Sequence, residues 1–174
     1  MDRYGIVEHL TTLCGVLEKT GTPYALAGGL AYSALVEPRA TMDIDVLVIL
    51  DEVKLRNVVG EIEKRYDSVV VHREPMLFNS TRIWRMVCVS AGVEFILDFI
   101  LADSEFLRQA LGRAKPVEHA GARIFILAIE DLYIMKTIAS RPRDIADIDN
   151  IKLLMNDSVD WAYVDTWKTK LGLK

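Results

Sequence analysis

Apolar side chains recur at helical spacing from the start of the chain. Ile6, Leu10, Leu13 and Leu17 share one face with Val7 and Cys14 beside them, and Gly21 and Pro23 close the segment, so the pattern predicts an amphipathic helix over 2–20. The period then shortens. Residues 24–27 form a brief apolar run bounded by Pro23 and Gly28, which suits a strand, and 30–37 return to helical spacing until Pro38 stops them. Residues 43–50 are apolar on both faces beyond two aspartates, as expected of a central strand covered on both sides. Asp51 is placed to cap a helix whose stripe is Leu55, Val58, Val59, Ile62 and Tyr66.

The middle of the chain reads as β-structure. A short strand is expected over 68–72, an irregular exposed loop over 73–81, and a hairpin over 82–90 and 93–100 that turns at Ala91-Gly92. Residues 104–111 look helical, and 116–127 form a second expected hairpin about Ala120-Gly121. From Ile129 the texture is helical: 130–140, a break at Arg141-Pro142 with Pro142 in the first turn of a helix that runs to about Met155, then a last helix over about 159–171. The fold class expected is α+β, a mixed sheet flanked by helices, with a core over 1–128 and a C-terminal helical region over 129–174 packed on it.

Twenty-one basic against twenty-five acidic residues give a formal charge of −4, which argues against a broad nucleic-acid-binding surface but leaves room for a local groove. No apolar run reaches the ~20 residues needed to span a bilayer. The opening Met1-Asp2-Arg3-Tyr4 offers no signal-type stretch, and Cys14 and Cys88 are isolated, so buried thiols in a reducing cytoplasm are expected. His9, His72 and His119 are scattered, without zinc-ligand spacing.

The chemistry concentrates between Gly28 and Asp45. Gly28-Gly29 follows a short apolar strand and suits a turn whose N–H groups, at a helix start, can approach a phosphate. Asp43 and Asp45 head the central strand two residues apart, so both carboxylates leave one face with Cα atoms about 6.6 Å apart. That spacing lets them converge on cations about 3.5–4 Å apart. Asp98 lies alone in an apolar strand, where it is paired with a base, at a sheet edge, or bound to metal; beside the first strand it would complete a three-carboxylate cluster. Arg39 and Thr41 precede the aspartates, and Arg39 either neutralises a phosphate or is an ordinary surface arginine.

Together these features resemble the nucleotidyltransferase superfamily typified by DNA polymerase β, whose pattern is Gly-Gly-(Ser/Thr), an acidic pair about ten residues on, and a third carboxylate on a later strand. Gly28, Gly29, Asp43, Asp45 and Asp98 match it, and the chain looks most like minimal bacterial and archaeal members, including abortive-infection toxins of type IV toxin–antitoxin pairs. Lys136 and the segment Arg141-Pro142-Arg143-Asp144-Ile145-Ala146-Asp147 match their C-terminal pattern. The resemblance implies a nucleoside triphosphate substrate, two magnesium ions held by Asp43, Asp45 and Asp98, and Asp98 as base. It also implies Lys136 on the triphosphate or the leaving pyrophosphate, and Asp144 or Asp147 orienting that lysine or a substrate. Read without the resemblance, Arg143 and Asp147 are an i,i+4 pair on a helix.

Leu30 departs from the pattern, standing where many members carry a phosphate-binding hydroxyl worth about 1 kcal/mol. The implied activity is transfer of a nucleoside monophosphate to a hydroxyl of RNA, tRNA or protein, with a cognate antitoxin or a second copy as further partner. Two other readings stand beside it: an antibiotic adenylyltransferase with a small acceptor, and an inactive binding or antitoxin-like module. Trp161, Tyr163 and Trp167 either pack into the core or form a partner face.

Overall fold

The computed structural model describes residues 3–119 and 121–174; the first position of the expected opening helix and Ala120 of the second expected turn lie outside them. Helix α1 (Arg3–Lys19) leads into β1 (Tyr24–Leu26), α2 (Gly28–Leu35) and β2 (Asp43–Val48). Then come α3 (Glu52–Ile62), β3 (Ser68–Val71), β4 (Met76–Phe78), β5 (Thr81–Ser90), β6 (Val93–Leu101) and α4 (Glu105–Gly112). The chain continues through β7 (Lys115–His119), β8 (Ala122–Ile126), α5 (Ile129–Ala139), α6 (Pro142–Met155) and α7 (Trp161–Leu171), with a short 3-10 turn at Asn156–Ser158.

Among the described residues the strands form one mixed sheet in the order β3-β5-β6-β2-β1-β8-β7, with β4 paired to the free stretch of β5. The fold is therefore α+β with a mixed sheet and flanking helices. β2 runs parallel to β6 and antiparallel to β1, and β1 is parallel to β8. The Ala91-Gly92 turn carries positive φ at both positions (49° and 77°), the geometry a two-residue hairpin needs to match strand twist. It fixes the register of β5 on β6 from Ser90 opposite Val93 out to Ile83 opposite Ile100.

Two elements away from the glycine pair differ from the expectation. The stretch expected to be an irregular loop over 73–81 contains β4, because Met76–Phe78 pairs with Thr81–Ile83 around a turn in which Asn79 takes a positive φ of 50°. The last helix starts at Trp161, later than 159, with the Asp160 side chain accepting from the Tyr163 N–H as its cap. Caps elsewhere follow the sequence: the carboxylate of Asp51 accepts from Lys54, and the Ser104 hydroxyl from Leu107.

One sheet face is a closed core. Ile44, Val46 and Val48 of β2, Phe95, Leu97, Phe99 and Leu101 of β6, and Trp84, Met86 and Cys88 of β5 are all buried there. Helix α1 lies on this side, where the His9 ring stacks on Phe95 with centroids 4.0 Å apart. Cys14 and Cys88 are buried and free, and burial pushes their thiols up to about 11 and about 12, as expected of inert core groups. No helix among the described residues is long and apolar enough to cross a membrane.

The C-terminal helices are tied down by a second polar cluster. Arg113, just past α4, donates through Nε to Asp131 at 2.9 Å and through Nη2 to Glu130 at 2.9 Å, while the Tyr163 hydroxyl donates to Asp131 at 2.7 Å. The Arg113 guanidinium lies 4.0 Å from the Tyr163 ring centroid. Trp167 is buried against Phe106 and Trp161 meets Tyr133 edge-on, so the aromatic stripe of α7 is core packing.

Candidate active site

Strand pairing assembles the carboxylates. Asp43 and Asp45 leave β2 on the sheet face opposite the closed core, and the parallel β2–β6 register sets Asp98 beside Asp45. Arg85 of β5 stands opposite Asp98 across the antiparallel pair. Its Nε donates to Oδ1 at 2.9 Å and its Nη2 to Oδ2 at 2.6 Å, a bidentate fork on a buried carboxylate. Of the three settings expected for Asp98, it therefore has a base partner, and the interior position of β6 removes the sheet edge.

The glycine pair is built into the same corner. Gly28 adopts φ +58° at the first position of α2, two residues earlier than the helix start expected at Leu30. A Cβ placed there would fall 1.9 Å from Asp45 Oδ2, and one on Gly29 would fall 2.8 Å from Thr41 Oγ1 and 2.9 Å from Arg39 Nη2. Gly28 is thus required by its φ and by the close approach of Asp45, and Gly29 fits tightly against the Thr41 and Arg39 side chains. Leu30 turns its side chain to the core. Ser33 holds the loop by donating to the Arg39 carbonyl at 3.1 Å.

Arg39 continues the site toward the C-terminal helices. It is no ordinary surface arginine: its guanidinium sits 5.4 Å from the Tyr32 ring centroid and 3.5 Å from Asp147 Oδ2. Lys136 is buried, donates to Asp147 and lies 3.6 Å from Asp144 Oδ1. Asp147 therefore faces inward to Lys136 and Arg39, and the helical pair with Arg143 expected from the spacing does not form. Asp144 instead closes the start of α6 by accepting from Arg141 Nε at 2.6 Å and from the Arg141 N–H. Burial opposes its ionised form, but the Arg141 fork and Lys136 more than reverse this and hold Asp144 below the usual carboxylate range.

Arg39, Lys136, Arg85 and Arg141 are each matched to a carboxylate; among the described residues Asp43 and Asp45 are not. Burial, then repulsion from Asp98 and Asp43, pushes Asp45 up to about 6 against the opposing pull of Arg141 and the Gly29 N–H. Asp43 is also raised, by burial and then by Asp98, with Arg85, Arg141 and Arg143 offsetting part of it. Among the described residues no three His, Cys, Asp or Glu side chains form a ready-made cation cage. The donor set nonetheless fits a hard divalent cation, because two unmatched carboxylates share one face and strain each other when ionised.

Arg85 is not among the residues expected at the site, and Arg141 enters the sequence reading only as part of the C-terminal segment. The hairpin turn was the available signal for Arg85, since counting six residues outward from each side of Ala91-Gly92 sets it against Asp98.

Solved nucleotidyltransferase structures share this fold. The antibiotic-resistance factor ANT(2'')-Ia superposes with a TM-score of 0.65 at 12% identity over 98% of this chain and 95% of its own. The lincosamide antibiotic adenylyltransferase LnuA does so at 0.56 and 16% over 83% and 95%, and an antigenic nucleotidyltransferase-like protein from Paracoccidioides brasiliensis at 0.53 and 19% over 81% and 72%. At these identities the likeness is one of fold. No curated protein matches by sequence. Residues 6–171 match the family described as nucleotidyltransferase of unknown function (DUF6036), and the chain belongs to that family.

Proposed function

We propose that this chain is a magnesium-dependent nucleotidyltransferase that moves a nucleoside monophosphate from a nucleoside triphosphate to a protein or RNA hydroxyl. The observation that carries the reading is the unmatched pair Asp43 and Asp45, beside Asp98 and against Gly28. Asp43, Asp45 and Asp98 would hold two magnesium ions, which when bound supply charge neutralisation at the transferring phosphoryl group.

Gly28 and Gly29 leave space that a side chain would fill, and their place at the start of α2 suits a phosphate. Arg39, Thr41 and Lys136 flank the triphosphate, with Asp147 orienting Lys136. The acceptor oxygen attacks the α-phosphorus, the bond from that phosphorus to the bridging oxygen breaks, and pyrophosphate leaves. Asp98 takes the acceptor's proton; each of its oxygens keeps a lone pair beyond the one used by Arg85.

The nucleotide elements lie on the β1 side of Asp45, so the acceptor approaches over β6, β5 and β3. On that face stand Val87, Val89 and Ile96, partly exposed, and Val70, 65% exposed. A largely apolar sheet face, on which Arg85 is already matched to Asp98, favours a protein acceptor over RNA, whose phosphates need several free cations. The small-acceptor reading has the acidic composition and fold likeness behind it. A toxin of an abortive-infection pair is the finer form of the proposal, and growth arrest on expression, relieved by Asp43→Ala, supports that role.

The direct test incubates the purified chain with labelled triphosphates, magnesium, and cellular protein and RNA. Label transfer that Asp43→Ala abolishes supports the reading. Transfer that survives Asp43→Ala, or none in any condition, overturns it.

A further inference from the structure

We infer that Arg85 is a built-in counter-charge which occupies Asp98 while the nucleotide is absent, so that the free protein offers a divalent cation only Asp43 and Asp45. The inference rests on the nucleotidyltransferase reading and deepens it by assigning the order in which the carboxylates become available.

The geometry is fixed by the backbone. The two-residue turn at Ala91-Gly92 sets Arg85 opposite Asp98, and the β2–β6 register sets Asp98 beside Asp45. Both Asp98 oxygens accept from the same guanidinium. The two partners differ in freedom. The Asp98 side chain is 5% exposed and has nowhere to go, whereas that of Arg85 is 33% exposed and can swing over the open face.

A cation at Asp98 must therefore share this carboxylate with Arg85 or displace it. In either case two positive charges compete for one anion, which weakens metal binding until further negative charge arrives. A triphosphate brings that charge. Arg85 is thus a positioning residue: it keeps a buried carboxylate matched in the empty site and couples cation loading at Asp98 to the nucleotide.

The test uses Mn2+ alone, without nucleotide, and follows the free-ion signal by electron paramagnetic resonance. Arg85→Met keeps apolar bulk beside Ile83 and Val87 and removes the charge; it is expected to bind Mn2+ about tenfold or more tightly than the native chain. Arg85→Lys, still a cation, should stay near native, and adding Asp98→Asn to Arg85→Met should cancel the gain. Should Arg85→Met fail to fold, Arg85→Gln removes the charge and keeps a donor to Asp98, with the same expected direction. Native binding that Asp43→Asn removes, with no gain in the Arg85 variants, overturns the inference and leaves the nucleotidyltransferase reading standing. No Mn2+ binding in any form, the Arg85 variants included, also overturns the inference, while the label-transfer assay decides the nucleotidyltransferase reading.

Discussion

Gly28 and Asp45 are in contact across the bend between β1 and α2: the space a Gly28 Cβ would need is already filled by the Asp45 side chain, down to its own Cβ at 2.8 Å. Rotating the carboxylate away would not relieve the clash, and a φ of +58° disfavours any L side chain there. Gly28→Ala is therefore expected to destabilise the fold by about 1–2 kcal/mol through the backbone alone. It should also weaken Mn2+ binding by displacing Asp45. Thermal melts with and without Mn2+ check both, and a native-like Mn2+ affinity would count against the contact.

Lys136 is the cation on which two buried carboxylates lean. Lys136→Met leaves Asp147 with the more distant Arg39 and removes Asp144's inner neighbour. A loss of about 3–5 kcal/mol is expected in urea unfolding, the usual cost of removing one member of a buried pair. Adding Asp147→Asn should recover part of it, because the stranded charge goes with its partner.

At the far end of the C-terminal helices, Tyr163→Phe deletes one donor to the buried Asp131 and keeps the ring under Arg113. A hydrogen bond to a charged acceptor is worth about 1.5–3 kcal/mol, so the variant should unfold at clearly lower urea with the same slope.

His9 gives a pH dependence outside the candidate site. Packed on Phe95 and beside Tyr66, it is desolvated, which lowers its pKa below 6.5; Glu8 opposes this in part. The unfolded chain therefore binds a proton first as pH falls, so this contribution is present above 6.5 and lost as pH drops through that value toward the folded pKa. The native chain should lose stability over this window relative to His9→Phe. Urea midpoints for the two proteins from pH 8 to pH 5 check the sign.

The sequence carried much of this arrangement because its signals were local. Alternation in 82–90 and 93–100, with Ala91-Gly92 between them, specified a hairpin, and the Asp43/Asp45 spacing specified one face. β4 was hidden because its strand is three residues long and follows Pro75, too short for a period to show. Lys136 and Asp147 sit on different helices; the resemblance implied that Asp144 or Asp147 orients the lysine, and the crossing of α5 and α6 shows Asp147 turned inward to it, away from Arg143. Arg85 was legible through the hairpin arithmetic, but an arginine in a strand reads as solvent-facing until the opposite residue is counted.

The parallel pairing of β2 with β6 has a further cost in assembly. Asp45 and Asp98 become neighbours only after α3, β3, β4 and β5 have been threaded between them and folded back. Such a long-range closure comes late. A half-made chain, or one clipped between β2 and β6 and separated, holds Asp45 with no Asp98 beside it; the carboxylates meet only on completion.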